Sequence, residues 1–193
     1  MDALTHAIEA YIGQSNTEET KRWSLQATKL VFTYLKKAYD NGSDLKARTE
    51  MQHAAYRAGL AFTRAYVGNV HAIAHTLGGF YGTPHGRANA VILPHLLRAY
   101  GKTVYKPLAE LAKAAGVGME RQSDKKRART FIQAIEQLNE AMGIPETLPE
   151  IKKEDISLMA KRAHQEANPH YPVPKIFSKR KFRKMYKRIS RDE

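Results

Sequence analysis

The sequence contains no cysteine. That excludes disulfides, thiolate zinc sites and a cysteine nucleophile, and it fits a cytoplasmic protein. No apolar run approaches the ~18 to 20 residues that a membrane-crossing helix needs. The first residues, MDALTHAIEAYIGQ, are acidic and amphipathic, without the basic flank and continuous apolar stretch of a secretory signal. No G-x-G-x-x-G or other phosphate-cradling glycine loop occurs, and no segment reads as a clear strand. Internal repeats and low-complexity tracts are also missing. What is present is a chain of 193 residues, 42% hydrophobic, whose apolar residues recur at helical spacing.

Caps and breakers divide that pattern. A first helix is expected from residue 2 to Gly13, with Ala3, Ile8, Tyr11 and Ile12 inward. A long helix follows the Ser15 to Glu19 cap and ends at Asp40-Asn41-Gly42. Ser43 or Asp44 opens the next, over residues 45 to 66, whose small residues (Ala54, Ala55, Ala58, Gly59, Ala61, Ala65) allow close helix packing. A histidine-bearing helix is expected to break at Gly78-Gly79. After it, residues 88 to 99 read as helical, with Pro94 as a kink. Further helices are expected over 107 to 115, from Ser123 or Asp124 to 142, over 153 to 167, and after Ser178. The fold class is therefore all-α: one compact domain, residues 1 to 193, of about eight or nine helices.

Net charge is +13. Eight Lys/Arg lie between Lys179 and Arg191, and Arg121, Lys125, Lys126, Arg127 and Arg129 form a second group. The stretch FSKRKFRKMYKRISR interleaves aromatics with cations, as nucleic-acid binders do. Phe182, Met185, Tyr186 and Ile189 also stand at i, i+3, i+4 and i+7, which describes an ordinary amphipathic helix with a solvated basic face.

Four of the eight histidines, His71, His75, His85 and His95, fall between Asn69 and Tyr100. His71 and His75 are four apart, so a helix sets both on one face about 6 Å apart along its axis. A Gly/Pro corner, Tyr81-Gly82-Thr83-Pro84, can bring His85 back beside His71. Asp2 and His6 repeat the i, i+4 spacing at the start of the chain. Three imidazoles and a carboxylate suit iron(II) or zinc. His53, His95, His164 and His170 read as surface or core residues, His95 being the one that could line a cleft.

DALTHAIEAY at the start and VHAIAHTLGGFYGTPHGRANAVILPH in the middle resemble the two signature blocks of the iron-containing (group III) alcohol dehydrogenases. That family includes lactaldehyde reductase, propanediol dehydrogenase and butanol dehydrogenase. The resemblance runs on to NPHYPVPKIFSKRKF. It implies that Asp2, His6, His71 and His85 hold a metal, Fe(2+) or alternatively Zn(2+), acting as a Lewis acid on the substrate oxygen. It implies that His75 lies near the nicotinamide and substrate, as a proton relay or cofactor contact. Phe62 is carried over to the substrate pocket, a core aromatic being the plainer reading.

Relatives have two domains, a Rossmann-like NAD(P)-binding one and a helical metal-binding one, and this chain resembles only the second. They commonly read GMDALTHA, so Met1 resembles an internal methionine and the dinucleotide-binding domain is expected to be missing. Asp2 would then sit on a fraying helix end. The implied substrate is a small alcohol or aldehyde. NAD(P) would be used only in a full-length form or with a separate dinucleotide-binding chain, and the chain alone is expected to be inactive. No membrane or nucleic-acid partner is expected; a homo-oligomer stays open. The alternatives are a basic helical protein binding nucleic acid or an acidic surface, and an inactive remnant.

Overall fold

A computed structural model describes residues 1–119 and 121–190, and all statements of structure refer to these. Among them are nine α-helices, a short 3-10 turn and no strand. Arg191, counted above in the basic stretch, lies outside the described residues.

The first three helices, α1 (Asp2–Ile12), α2 (Glu18–Asp40) and α3 (Leu45–Ala65), pack on one another. Thr17 and Thr20 close a reciprocal capping box at the start of α2, and Glu18 and Glu19 suit its positive end. Asp44 caps α3 through the Ala47 N–H. In α3, Ala54, Ala58, Ala61 and Ala65 form one buried stripe. Ala58 meets Ala7 of α1 and Ala27 of α2, while Ala61 and Ala65 meet Ala10 of α1. The small residues thus draw α3 against α1, the helix that carries Asp2 and His6.

The histidine helix α4 (Asn69–Tyr81) does not break at Gly78-Gly79. A glycine inside a helix costs only about 1 kcal/mol relative to alanine, which neighbouring packing offsets. The stop falls at Gly82, whose φ of 65° is the left-handed cap conformation and whose N–H bonds the Gly78 carbonyl. Three residues later α5 (His85–Tyr100) begins, antedating the expected start and placing His85 in its first turn.

Pro94 lies inside α5 and has no N–H to give the Ala90 carbonyl. The Asn139 side-chain amide fills that place, donating to Ala90 O at 2.8 Å. Asn139 belongs to α7 (Asp124–Ala141), which Ser123 caps and which packs on both α5 and α6 (Tyr105–Ala114).

Helix α8 (Ile156–Ala167) lies along α4, and α9 (Lys179–Ile189) covers α8 and α5. Phe182, Met185, Tyr186 and Ile189 of α9 are all buried, as is Phe177 before it. Burial of such side chains contributes about 1.5–3 kcal/mol each, which outweighs repulsion of a few tenths of a kcal/mol per exposed like-charge pair. The aromatics of the basic stretch are therefore core residues, not a stacking platform for bases. No helix is long and apolar enough to cross a membrane.

Candidate metal centre

Three i, i+4 pairs build the cluster: Asp2 and His6 on α1, His71 and His75 on α4, His85 and Asn89 on α5. Asp2, His6 and His71 offer donor atoms that all lie within 4.8 Å of one another. His71 Nε2 stands 3.0 Å from His6 Nε2. His85 adjoins this triplet through its Nδ1, 3.0 Å from Asp2 Oδ1, and its ring centre lies 5.2 Å from that of His71.

The protonation pattern can be followed atom by atom. Asn89 Nδ2 donates to Asp2 Oδ1 at 2.6 Å and faces His71 Nε2 at 3.1 Å. An amide N–H meets His71 Nε2 only if that nitrogen is an acceptor. Its proton therefore sits on Nδ1, which donates to Glu9 Oε2 at 2.7 Å. This is the arrangement in which a carboxylate behind an imidazole fixes the tautomer of a metal-binding histidine.

Glu9 has a second task. Its two oxygens accept from the N–H groups of Gly68 and Val70, each at 2.8 Å. Gly68, the N-cap of α4, supplies no side-chain cap, so a carboxylate from α1 does so in its stead. A Cβ on Gly68 would stand 2.7 Å from Glu9 Oε1, so any larger residue there would displace the carboxylate from its hydrogen bonds.

Burial, and then the neighbouring His71, push the His6 pKa down to about 4. Burial alone would raise Asp2, but the Asn89 hydrogen bond and the His6 and His85 neighbours outweigh it and hold the carboxyl below its usual range. At neutral pH the cluster thus presents neutral His6 beside an anionic carboxylate. Nitrogens bound about 2.1 Å from one ion at right angles stand ~3 Å apart, so the two converging Nε2 atoms fit a shared divalent cation.

Phe62, on α3, stacks on His6 with ring centres 4.2 Å apart and orients that imidazole. His75 lies at the flank, its ring 5.4 Å from that of His85 and 5.8 Å from that of His71. Its Nδ1 is 2.6 Å from Glu166 Oε1 on α8, and this hydrogen bond raises the His75 pKa against the opposing effect of burial. His95 is not brought to the cluster; its Nε2 bonds the Glu146 carbonyl. Glu9, Asn89, Glu166 and Tyr171 were not anticipated from the sequence. A signal existed for the first two: Glu9 extends the Asp2 and His6 stripe to i+7 within an apolar run, and Asn89 follows His85 at i+4.

Comparison with known proteins agrees with this arrangement of blocks. The family model described as Fe-containing alcohol dehydrogenase family, C-terminal, matches residues 1–190. Alcohol dehydrogenase 4 of Saccharomyces cerevisiae is 41% identical over 183 residues, covering 93% of this chain and 46% of that protein. The 1,3-propanediol dehydrogenase of Citrobacter freundii is 41% identical over 170 residues, covering 87% of this chain and 44% of its own length. The solved structure of an alcohol dehydrogenase from Oenococcus oeni superposes with a TM-score of 0.92 at 36% identity, over 98% of this chain and 50% of that one. The chain spans about half the length of the curated relatives it matches. It belongs to the iron-containing alcohol dehydrogenase family and corresponds to that family's C-terminal, helical region.

Proposed function

We propose that this chain is the metal-binding part of an NAD(P)-dependent alcohol dehydrogenase site, acting on a small alcohol or aldehyde. The observation that carries the reading is the convergence of Asp2, His6 and His71 within 4.8 Å, with His85 on Asp2 and Glu9 behind His71. Asp2, His6, His71 and His85 would hold a divalent ion, iron(II) or zinc. When bound, such an ion supplies Lewis acidity that lowers the pKa of an alcohol hydroxyl.

The chain's own groups do the rest. Glu9 keeps His71 in the tautomer that leaves Nε2 bare. Phe62 covers one face of His6 and keeps water from it. His75, at the exposed flank, takes up the hydroxyl proton. A nicotinamide would supply the hydride acceptor, and the described residues contain no strand–loop–helix unit to cradle a dinucleotide.

Titration of the metal-free chain with cobalt(II), followed by its visible absorption, tests the site. One equivalent bound, and binding lost in His6→Ala and His71→Ala, is the expected result. No cobalt bound, or cobalt bound equally by both variants, would overturn the reading.

A further inference from the structure

A line of three polar residues leads away from the cluster and is anchored by none of the metal-candidate residues. His75 Nδ1 lies 2.6 Å from Glu166 Oε1, and Tyr171 Oη donates to the same oxygen at 2.7 Å. Glu166 stands in the last turn of α8, the helix packed along α4. Tyr171 is fixed at both ends of its segment. Its N–H bonds the Ala167 carbonyl at 3.0 Å, and the next residue, Pro172, accepts from the Gln14 N–H at 2.7 Å. The carboxylate is thus aimed from a helix and steadied by a phenol whose segment is tethered to the chain just after α1.

An ionised carboxylate has no proton to give. The hydrogen in the His75–Glu166 contact therefore resides on Nδ1, and in the neutral ring the opposite nitrogen, Nε2, keeps its lone pair. We propose that Glu166 and Tyr171 are positioning residues that hold His75 in its Nδ1–H tautomer, so that Nε2 is the proton acceptor at the flank of the histidine cluster. This rests on the alcohol-oxidising reading above. In the step it serves, the O–H bond of the substrate breaks, its proton forms an N–H bond at Nε2, and the electron pair stays on oxygen. The resulting imidazolium lies against Glu166, which stabilises it as the buried carboxylate of a hydrolase triad stabilises its histidine.

The tautomer can be read directly in the metal-free chain by correlating ring protons with the two imidazole nitrogens of 15N-labelled His75, above the pH at which it titrates. The assignment expects a protonated-type signal at Nδ1 and a bare-type signal at Nε2. In Glu166→Ala the two signals should exchange positions, since free imidazole side chains favour Nε2–H. In Glu166→Gln, whose amide can donate as well as accept, they should move to an average. In Tyr171→Phe they should shift part of the way. The backbone amide spectrum establishes that each variant is folded. Nε2–H in the parent chain, or signals unmoved in both Glu166 variants, would overturn the assignment. Cobalt binding separates this from the reading beneath it: the Glu166 variants should still bind one equivalent, whereas failure of the parent chain to bind cobalt removes the metal site and leaves the tautomer result standing by itself.

Discussion

The Glu9 carboxylate accepts from three backbone N–H groups of the α4 terminus, those of Gly68, Val70 and His71, and from the His71 ring, while 2% exposed. Replacing one of its oxygens with an amide sets a donor against a donor in a buried place. Glu9→Gln should therefore lower stability by about 1–3 kcal/mol, read by urea unfolding. It should also weaken cobalt binding by roughly 10–100-fold, because His71 is freed to change tautomer. His6 gives a pH prediction. Its pKa is about 4 in the folded protein against 6.5 in the unfolded chain. Between those values the unfolded chain binds a proton that the folded one does not, so stability of the metal-free protein falls as pH drops through that window and is unaffected by His6 above it. The loss is on the order of 1–3 kcal/mol and should be absent from His6→Gln, so that it appears as the difference between the pH profiles of the parent chain and that variant. At this scale the sequence revealed what lies close along the chain. The Asp2/His6 and His71/His75 pairs show in a 3.6-residue period. The Glu9–His71 and His75–Glu166 pairs, 62 and 91 residues apart, depend on how α1, α4 and α8 pack, which no local spacing encodes.

Among the elements, α5 depends most on a neighbour. Pro94 leaves the Ala90 carbonyl unpaired within its own helix, and Asn139 of α7 supplies the hydrogen bond. Asn139→Leu should destabilise the protein by about 1–3 kcal/mol. Pro94→Ala returns an N–H to the helix, so in that background the same Asn139 change should cost clearly less; thermal unfolding of the four proteins closes the cycle. A purely additive result would refute the link. The kink was legible in Pro94, but its remedy was not, since an asparagine in a helix gives no hint of the carbonyl it will meet. The expected break at Gly78-Gly79 does not occur, for a related reason. Glycine weakens a helix without ending it, and the stop belongs to Gly82, where a positive φ is required.

For the whole molecule, the helical body and the order of its elements followed from periodicity and caps, and both histidine blocks pointed to the family. The basic surface pointed elsewhere until the packing of α9 put Phe177, Phe182 and Tyr186 in the core. The described residues hold a candidate proton acceptor and candidate metal ligands but no strand from which a dinucleotide-binding unit could be built. The purified 193-residue chain, loaded with iron(II) or zinc, is therefore expected to show negligible NAD(P)-dependent oxidation of propanediol or butanol, followed as nicotinamide absorbance. Sustained turnover would contradict that division of labour. The central claim is that Asp2, His6, His71 and His85 form a metal site within this chain. Its most direct test is the metal content, by mass spectrometry, of protein purified from anaerobic cells, beside a His71→Ala, His85→Ala double variant. Near-stoichiometric iron or zinc in the parent chain, absent from the variant, is the predicted result; a chain free of metal even after iron(II) and zinc are offered, or equal metal in both proteins, would contradict it.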